Sequence, residues 1–256
     1  MLETLIALFA AHVLADFVLQ TRWIVARKTH PAVLALHGAL VLLSAQAALG
    51  TVAAPGLVLL ALAHMAIDAL KARHAPRGTI AFLVDQAAHG ATLLALAIWQ
   101  PGLWAGGFWS TMSAPAPHLM LHAMLLAAGF IFAVRAGGFA VGLLMEAQLA
   151  PVVTDLRIRA TTTGQSGGLP EGGLTIGWLE RGLVFILILA GQPGAIGFLI
   201  AAKSVLRFGT VTEDRAASEY VIIGTLASFG WAIGVTLATI WLRDLLPPLV
   251  IAPRLP

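Results

Sequence analysis

Eight blocks of apolar residues, separated by short polar stretches, organise this chain. The first runs over about 2–21 and ends at Arg22-Trp23. A basic loop holding Arg22, Arg27, Lys28 and His30 closes at Pro31, and a second block follows over about 32–51. Pro55-Gly56 opens the third, which ends near Lys71-Ala72-Arg73. A loop with His74, Pro76, Arg77 and Gly78 leads into a fourth block of about 79–99. Trp99, Trp104 and Trp109 come next among Pro and Gly, the pattern of an aromatic belt at a membrane interface. The fifth block starts near His118 and runs to about 134, or as far as 145. The stretch 150–173 is polar and glycine-rich, with Arg157 and Arg159. A sixth block covers about 174–191, Gln192-Pro193-Gly194 makes a turn, a shorter seventh covers 195–208, and an eighth covers about 219–242. Most blocks approach the ~20 residues with which an α-helix crosses a bilayer. The pattern predicts an all-α, polytopic transmembrane helical bundle of about eight spans.

Composition agrees. Of the 256 residues, 59% are hydrophobic and 11% charged, whereas about a quarter are charged in a soluble domain. The first block begins at Leu2 without a basic leader or an obvious small-residue cleavage site, so it is expected to be a retained helix. The absence of cysteine excludes disulfides and thiolate ligands. The net charge of +3 does not point to nucleic acid, because the basic residues fall in loops and at helix ends. They concentrate near 22–31, 71–78, 146–173 and 207–218, loops that share one side of an eight-span protein. By the positive-inside rule that side is cytoplasmic and both termini lie outside. The expected division is a four-helix core over 1–100 and a C-terminal four-helix region over 101–256, carrying the glycine-rich cytoplasmic loop.

Seven ionisable residues break the apolar pattern in the first third: His12, Asp16, His37, His64, Asp68, Asp85 and His89. Six of them form pairs four apart, His12 with Asp16, His64 with Asp68 and Asp85 with His89, so each pair shares one helix face. Counted at 1.5 Å per residue, Asp16, His37, Asp68 and Asp85 each lie roughly 8–9 Å from the cytoplasmic end of their helix. His12, His64 and His89 lie one turn deeper. Four helices thus present polar groups in two adjacent layers, as one shared site would require. Helices one and three also carry the same His-x3-Asp ending, His-Val-Leu-Ala-Asp and His-Met-Ala-Ile-Asp, a weak internal repeat.

Ionisable groups inside membrane helices are costly and mark sites with partners. Histidine and aspartate together are ligands for Zn, Mn, Fe or Ni rather than for Cu(I). Four His and three Asp exceed the three or four ligands of one zinc, so they suit one or two ions, or one ion with surrounding partners and a base. The alternative is a buried polar network that only locks helices together. Interhelical hydrogen bonds worth about 1–2 kcal/mol give little reason to bury three carboxylates, which favours metal or proton chemistry. A lesser set lies in the second half: Glu180 and Arg181 in the sixth block, Lys203 and Arg207 in the seventh, and Glu219 at the start of the eighth. It reads either as a structural tie between these helices or as cations for an anionic substrate group. His118 and His122 have metal spacing but fall at the outer end of the fifth block, where an interfacial pair is the simpler reading.

The segments His12-Val-Leu-Ala-Asp16-Phe-Val-Leu-Gln20, His37, His64-Met-Ala-Ile-Asp68-Ala-Leu-Lys71 and Asp85-Gln86-Ala-Ala-His89 together resemble the bacterial membrane family DUF3307. The segments Gly177-Trp-Leu-Glu180-Arg181, 195–208 and Glu219-Tyr220 look like the C-terminal part of its longer members. The resemblance implies a multi-pass protein of the bacterial inner (cytoplasmic) membrane and carries no activity with it. A looser likeness, the His-x3-Asp pattern in hydrophobic helices, is to predicted membrane-bound metal-dependent hydrolases. The resulting expectation is a membrane-embedded metal-dependent hydrolase acting on a lipid or amphiphilic phosphate-containing substrate, with its site open to the cytoplasm. His12, Asp16, His64, Asp68 and His89 would be ligands, with Asp85 and His37 as further ligands or as base and orienter. Gln20 and Gln86 would support them, and Lys203 and Arg207, with Glu180 and Arg181, would hold substrate. The competing expectations are a divalent-metal or proton transporter, which needs a continuous polar path, and a structural assembly factor without chemistry.

Overall fold

The computed structural model describes residues 1–74, 78–146, 171–211 and 215–249, with side chains undescribed at 206–211 and 215–217. Every described element is helical. In chain order they are α1 (Leu2–Leu14) with a π turn at Ala15–Leu19, α2 (Arg22–Ala26), α3 (Pro31–Leu49), α4 (Pro55–His74) and α5 (Thr79–Trp99). A short 3-10 turn, Phe108–Thr111, precedes α6, which begins as Ala116–Ile131 and passes a π turn at Phe132–Ala136. α6 then continues, so that Ala116–Glu146 is one long apolar helix. α7 (Gly172–Leu189), α8 (Ala195–Val211) and α9 (Arg215–Asp244) complete the order. Seven of these are long and apolar enough to cross a membrane, and the shorter apolar helix Ala195–Val205 falls in the predicted seventh span. Each apolar block of the sequence thus carries a helix. Arg157, Arg159 and most of the glycine-rich stretch lie outside the described residues.

Helix ends fall where chain chemistry puts them. Pro31 opens α3, where its missing N–H costs nothing. Gly50 closes the same helix in the left-handed conformation (φ 66°), and Thr51 N–H returns to Gln46 O at 3.1 Å. Thr21 starts α2 by accepting the Ile24 N–H on its side chain. This five-residue helix lies inside what the sequence reads as a plain basic loop. Its buried Ile24 holds the segment that carries Lys28.

The chain forms two compact units. The first comprises 1–76, 80–131 and 239–256; the second comprises 77–79 and 132–238. In the first unit α1 packs against α3 and α6, α3 packs against α4, and α1 is the most enclosed of the long helices. Leu8, Leu49, Leu57, Leu60, Leu93 and Leu121 belong to one buried core. Between membrane helices association rests on close packing rather than on water exclusion, and Gly38 lies directly against Met65. The end of the bundle where α1 begins is tied by polar contacts. The buried Thr4 hydroxyl donates to Pro101 O at 2.8 Å and accepts from Trp104 N–H at 3.2 Å. Trp109 Nε1 donates to Ala47 O at 2.8 Å, and Phe108 N–H to Gly50 O at 2.8 Å.

In the second unit, the π turn of α6 turns backbone carbonyls toward side chains. Trp231 Nε1 donates to Phe132 O at 3.2 Å, and Arg181 Nε donates to Val134 O at 3.0 Å. Arg181 also reaches Ser228 Oγ at 3.0 Å, so one buried guanidinium ties α7 to α6 and α9. Gly137 and Gly138 leave room for the Arg181, Trp178 and Trp231 side chains.

Gly107 sits so close to Leu49 O that a Cβ there would overlap the carbonyl. Gly107→Ala therefore forces the loop or the end of α3 to shift, at an expected cost of about 1–3 kcal/mol. Thermal or denaturant unfolding of the detergent-solubilised protein measures it.

Candidate metal centre

Four helices of the first unit bring all seven ionisable residues into one cluster. α1 and α4 contribute near their C-terminal ends, α3 and α5 near their N-terminal ends. The side chains are shielded: His37 is 0% exposed, His89 1%, His64 2%, Asp68 3% and His12 4%. One turn further into the bundle from His12, His37, His64 and His89 lie Leu8, Val41, Leu60 and Leu93, all buried. The polar cluster therefore rests on an apolar floor.

At its centre are four donor atoms from three helices. His37 Nε2 and His64 Nε2 lie 3.1 Å apart. Asp16 Oδ1 is 3.3 Å from each of them. Asp68 Oδ2 is 3.4 Å from His37 Nε2 and 3.5 Å from His64 Nε2. Among the described residues, neither Asp16 Oδ1 nor Asp68 Oδ2 accepts a hydrogen bond despite these short approaches. A buried carboxylate oxygen without a donor is costly, and here the shared space between four donors explains it. Five edges of this four-atom figure run from 3.1 to 3.5 Å. Three donors at such an edge leave room for an ion about 2.0 Å from each of them, the Zn–N and Zn–O bond length, and the His37, His64 and Asp68 donors all lie within 4.8 Å of one another. The donor set of two imidazoles and two carboxylates suits a divalent transition ion.

The other three residues flank this figure. His12 Nδ1 faces Asp16 Oδ2 at 4.0 Å, and His12 Nε2 lies 3.3 Å from Gln86 Oε1. His89 stacks on His64 with ring centres 4.0 Å apart, and its Nε2 is 3.6 Å from Asp85 Oδ1. His12 with Asp16 and His64, and His37 with His64 and Asp68, each bring three donor atoms within 4.8 Å of one another. Gln20 follows the π turn of Ala15–Leu19, where its N–H bonds to Ala15 O at 2.9 Å. Its amide reaches His37 Nε2 at 2.9 Å. Gln86 Nε2 donates to Asp85 Oδ2 at 3.2 Å. Both glutamines border the cluster, as their place in the sequence motifs suggests.

Residues 4–113 match the model of the DUF3307 family, described as a protein of unknown function. No curated protein and no solved structure matches the chain. The matched region runs from within α1 through α5 and holds every residue of the cluster.

Two residues that reach the cluster carry no signal in the spacing of the sequence. Lys28 Nζ donates to Asp68 Oδ1 at 2.7 Å, and Lys71 Nζ to Asp85 Oδ2 at 2.7 Å. Both lysines belong to loops or helix ends by sequence, where a solvated charge is the ordinary reading. The signal that could have found them is length: a lysine stem spans the distance from a helix end to a carboxylate one to two turns inside. The second-half residues have partners within their own unit. Lys203 Nζ donates to Glu180 Oε2 at 2.8 Å, and Arg181 is committed to Val134 O and Ser228 Oγ. The Arg207 side chain lies outside the described residues. His122 Nδ1 lies 2.8 Å from His118 O, a contact within one helix.

Lys28→Met removes the ammonium from a carboxylate that is 3% exposed. Stripping one partner from a buried ion pair costs about 3–5 kcal/mol. The expected outcome is that size of loss in the chelator-treated protein, largely recovered in the Lys28→Met/Asp68→Asn double variant. Unfolding curves of the four proteins measure the coupling.

Proposed function

We propose that this chain is a membrane-embedded metal-dependent hydrolase of the bacterial inner membrane, acting on a lipid or amphiphilic phosphate-containing substrate. The observation that carries the reading is the four-atom figure of His37 Nε2, His64 Nε2, Asp16 Oδ1 and Asp68 Oδ2, with two buried oxygens that accept no hydrogen bond among the described residues. A divalent ion held in this cluster would polarise a phosphoryl or carbonyl oxygen and activate water. The residues that border the figure supply what such chemistry needs from the protein. Gln86 orients His12 and Asp85 by its amide, and the Gln20 amide, 2.9 Å from His37 Nε2 and 3.4 Å from Nδ1, would yield Nε2 to an ion. Lys28 and Lys71 offset carboxylate charge where the cluster meets the helix ends.

A shallow groove of about 80 Å³ beside the cluster, room for a phosphate-sized group, supports the substrate class. Lys28, Thr29 and Arg73 give it polar groups, while Leu34, Ala69 and Ala72 give it an apolar wall. An anionic head on a greasy body matches both sides, and Lys28 links the groove directly to Asp68. The buried layer of Leu8, Val41, Leu60 and Leu93 favours a closed pocket over a transport path, because a permeating ion would meet no polar group there.

Metal analysis of the purified protein tests the reading. Wild-type protein is expected to retain Zn, Mn, Fe or Ni, and His64→Ala to lose it. Ion at 100 times its dissociation constant should stabilise the wild type by about 2.7 kcal/mol. Protein that holds no metal and gains no stability from any of these ions overturns the proposal. Metal flux into proteoliposomes, abolished by Asp68→Asn, would replace the hydrolase with a transporter.

A further inference from the structure

If all four central donors close on one ion, that ion has no open position, as in structural metal sites. Catalysis requires an open position. The cluster contains a second group of donors that has one.

Asp68 turns its two oxygens to different neighbours. Oδ2 faces His37 and His64, while Oδ1 faces His89 Nε2 at 4.0 Å and Lys28 Nζ at 2.7 Å. Asp85 Oδ1 lies 3.6 Å from the same His89 nitrogen. Asp68, Asp85 and His89 each present one donor atom within 4.8 Å of the others. Among the described residues, Asp85 Oδ1 and both ring nitrogens of His89 have no hydrogen-bond partner. The His89 ring is 1% exposed and the Asp85 side chain 5%. A buried imidazole whose Nε2 meets its nearest carboxylate oxygens only at 3.6 and 4.0 Å is under-satisfied, and an ion between them would use that nitrogen.

We propose that Asp68 Oδ1, Asp85 Oδ1 and His89 Nε2 form a second divalent-cation position, bridged to the first through the Asp68 carboxylate, and that this three-donor position is the one that accepts water and the substrate's phosphate oxygen. The inference rests on the metal reading above and assigns the chemistry within it. Lys28 and Lys71 are the counter-cations of this position in its ion-free form. Their ammonium groups sit 2.7 Å from Asp68 Oδ1 and Asp85 Oδ2. Ion entry repels them, and their long stems let the charges move outward toward the groove, where they meet an anionic head. The Lys71 side chain is already 38% exposed. Bridged pairs of this kind clamp both the attacking and the leaving oxygen of a phosphoryl displacement.

The test is equilibrium dialysis of the full chain in detergent against Mn²⁺ alone, followed by low-temperature electron paramagnetic resonance. Two ions per chain with a spin-coupled spectrum are expected. Asp85→Asn, which keeps the side chain's shape, should retain one ion and lose the coupling, and His89→Ala should do the same. The retained first ion reports that each variant is folded. Lys71→Met should keep two ions and tighten the second about tenfold. One ion in the wild type, or two in the wild type and in both ligand variants, overturns the second position while leaving the first intact. No ion at all overturns both.

Discussion

Three carboxylates between hydrophobic helices are the constraint on which the first unit depends. Moving an ion out of water costs several kcal/mol even after relaxation, so Asp16, Asp68 and Asp85 persist only where positive charge meets them. Two ammonium groups, from Lys28 and Lys71, reach the cluster. With neutral histidines that leaves one negative charge in excess, and a divalent ion more than offsets it. The arrangement of the four helices serves this balance. α1 with its π turn and α4 deliver an aspartate toward their ends, α3 and α5 deliver His37 and Asp85 in their first two turns, and the lysines enter from the segment after α2 (Lys28) and the last turns of α4 (Lys71). The apolar layer beneath keeps water out from the other side and strengthens every interaction above it.

The same logic explains local departures from regular structure. The π turn after α1 falls at Asp16, and its end places Gln20 against His37. Such bulges cluster at functional sites because they re-aim side chains that a regular helix would misplace. The π turn of α6 works structurally, giving Val134 O to Arg181 and Phe132 O to Trp231. One device thus serves a candidate chemical site in one unit and a buried tie in the other.

Much of this was legible from spacing. The fourth apolar block, 79–99, coincides with α5 (Thr79–Trp99) because Gly78 and Pro101 bound it. Fixed helical rise places Asp16, His37, Asp68 and Asp85 in one layer and His12, His64 and His89 one turn deeper. Three features were not legible. α2 is too short to leave a periodic signal, and only the Thr21 cap marks it. Neither π turn has a residue signature. Lys28 and Lys71 join the cluster through the reach of their side chains, which residue spacing does not record. The roles of the four histidines were also beyond spacing, since only rotamers decide that His37 points into the central figure while His12 turns toward Gln86.

The central claim is that the His37, His64, Asp16 and Asp68 donors enclose an ion. X-ray absorption at the zinc edge of the zinc-loaded protein in detergent tests it most directly. The account predicts a shell of nitrogen and oxygen at about 2.0 Å with outer scattering from imidazole rings, and loss of that ring signal in a His37→Ala/His64→Ala variant. A hydrated ion showing oxygen alone, or an imidazole signal unchanged in that variant, would contradict it.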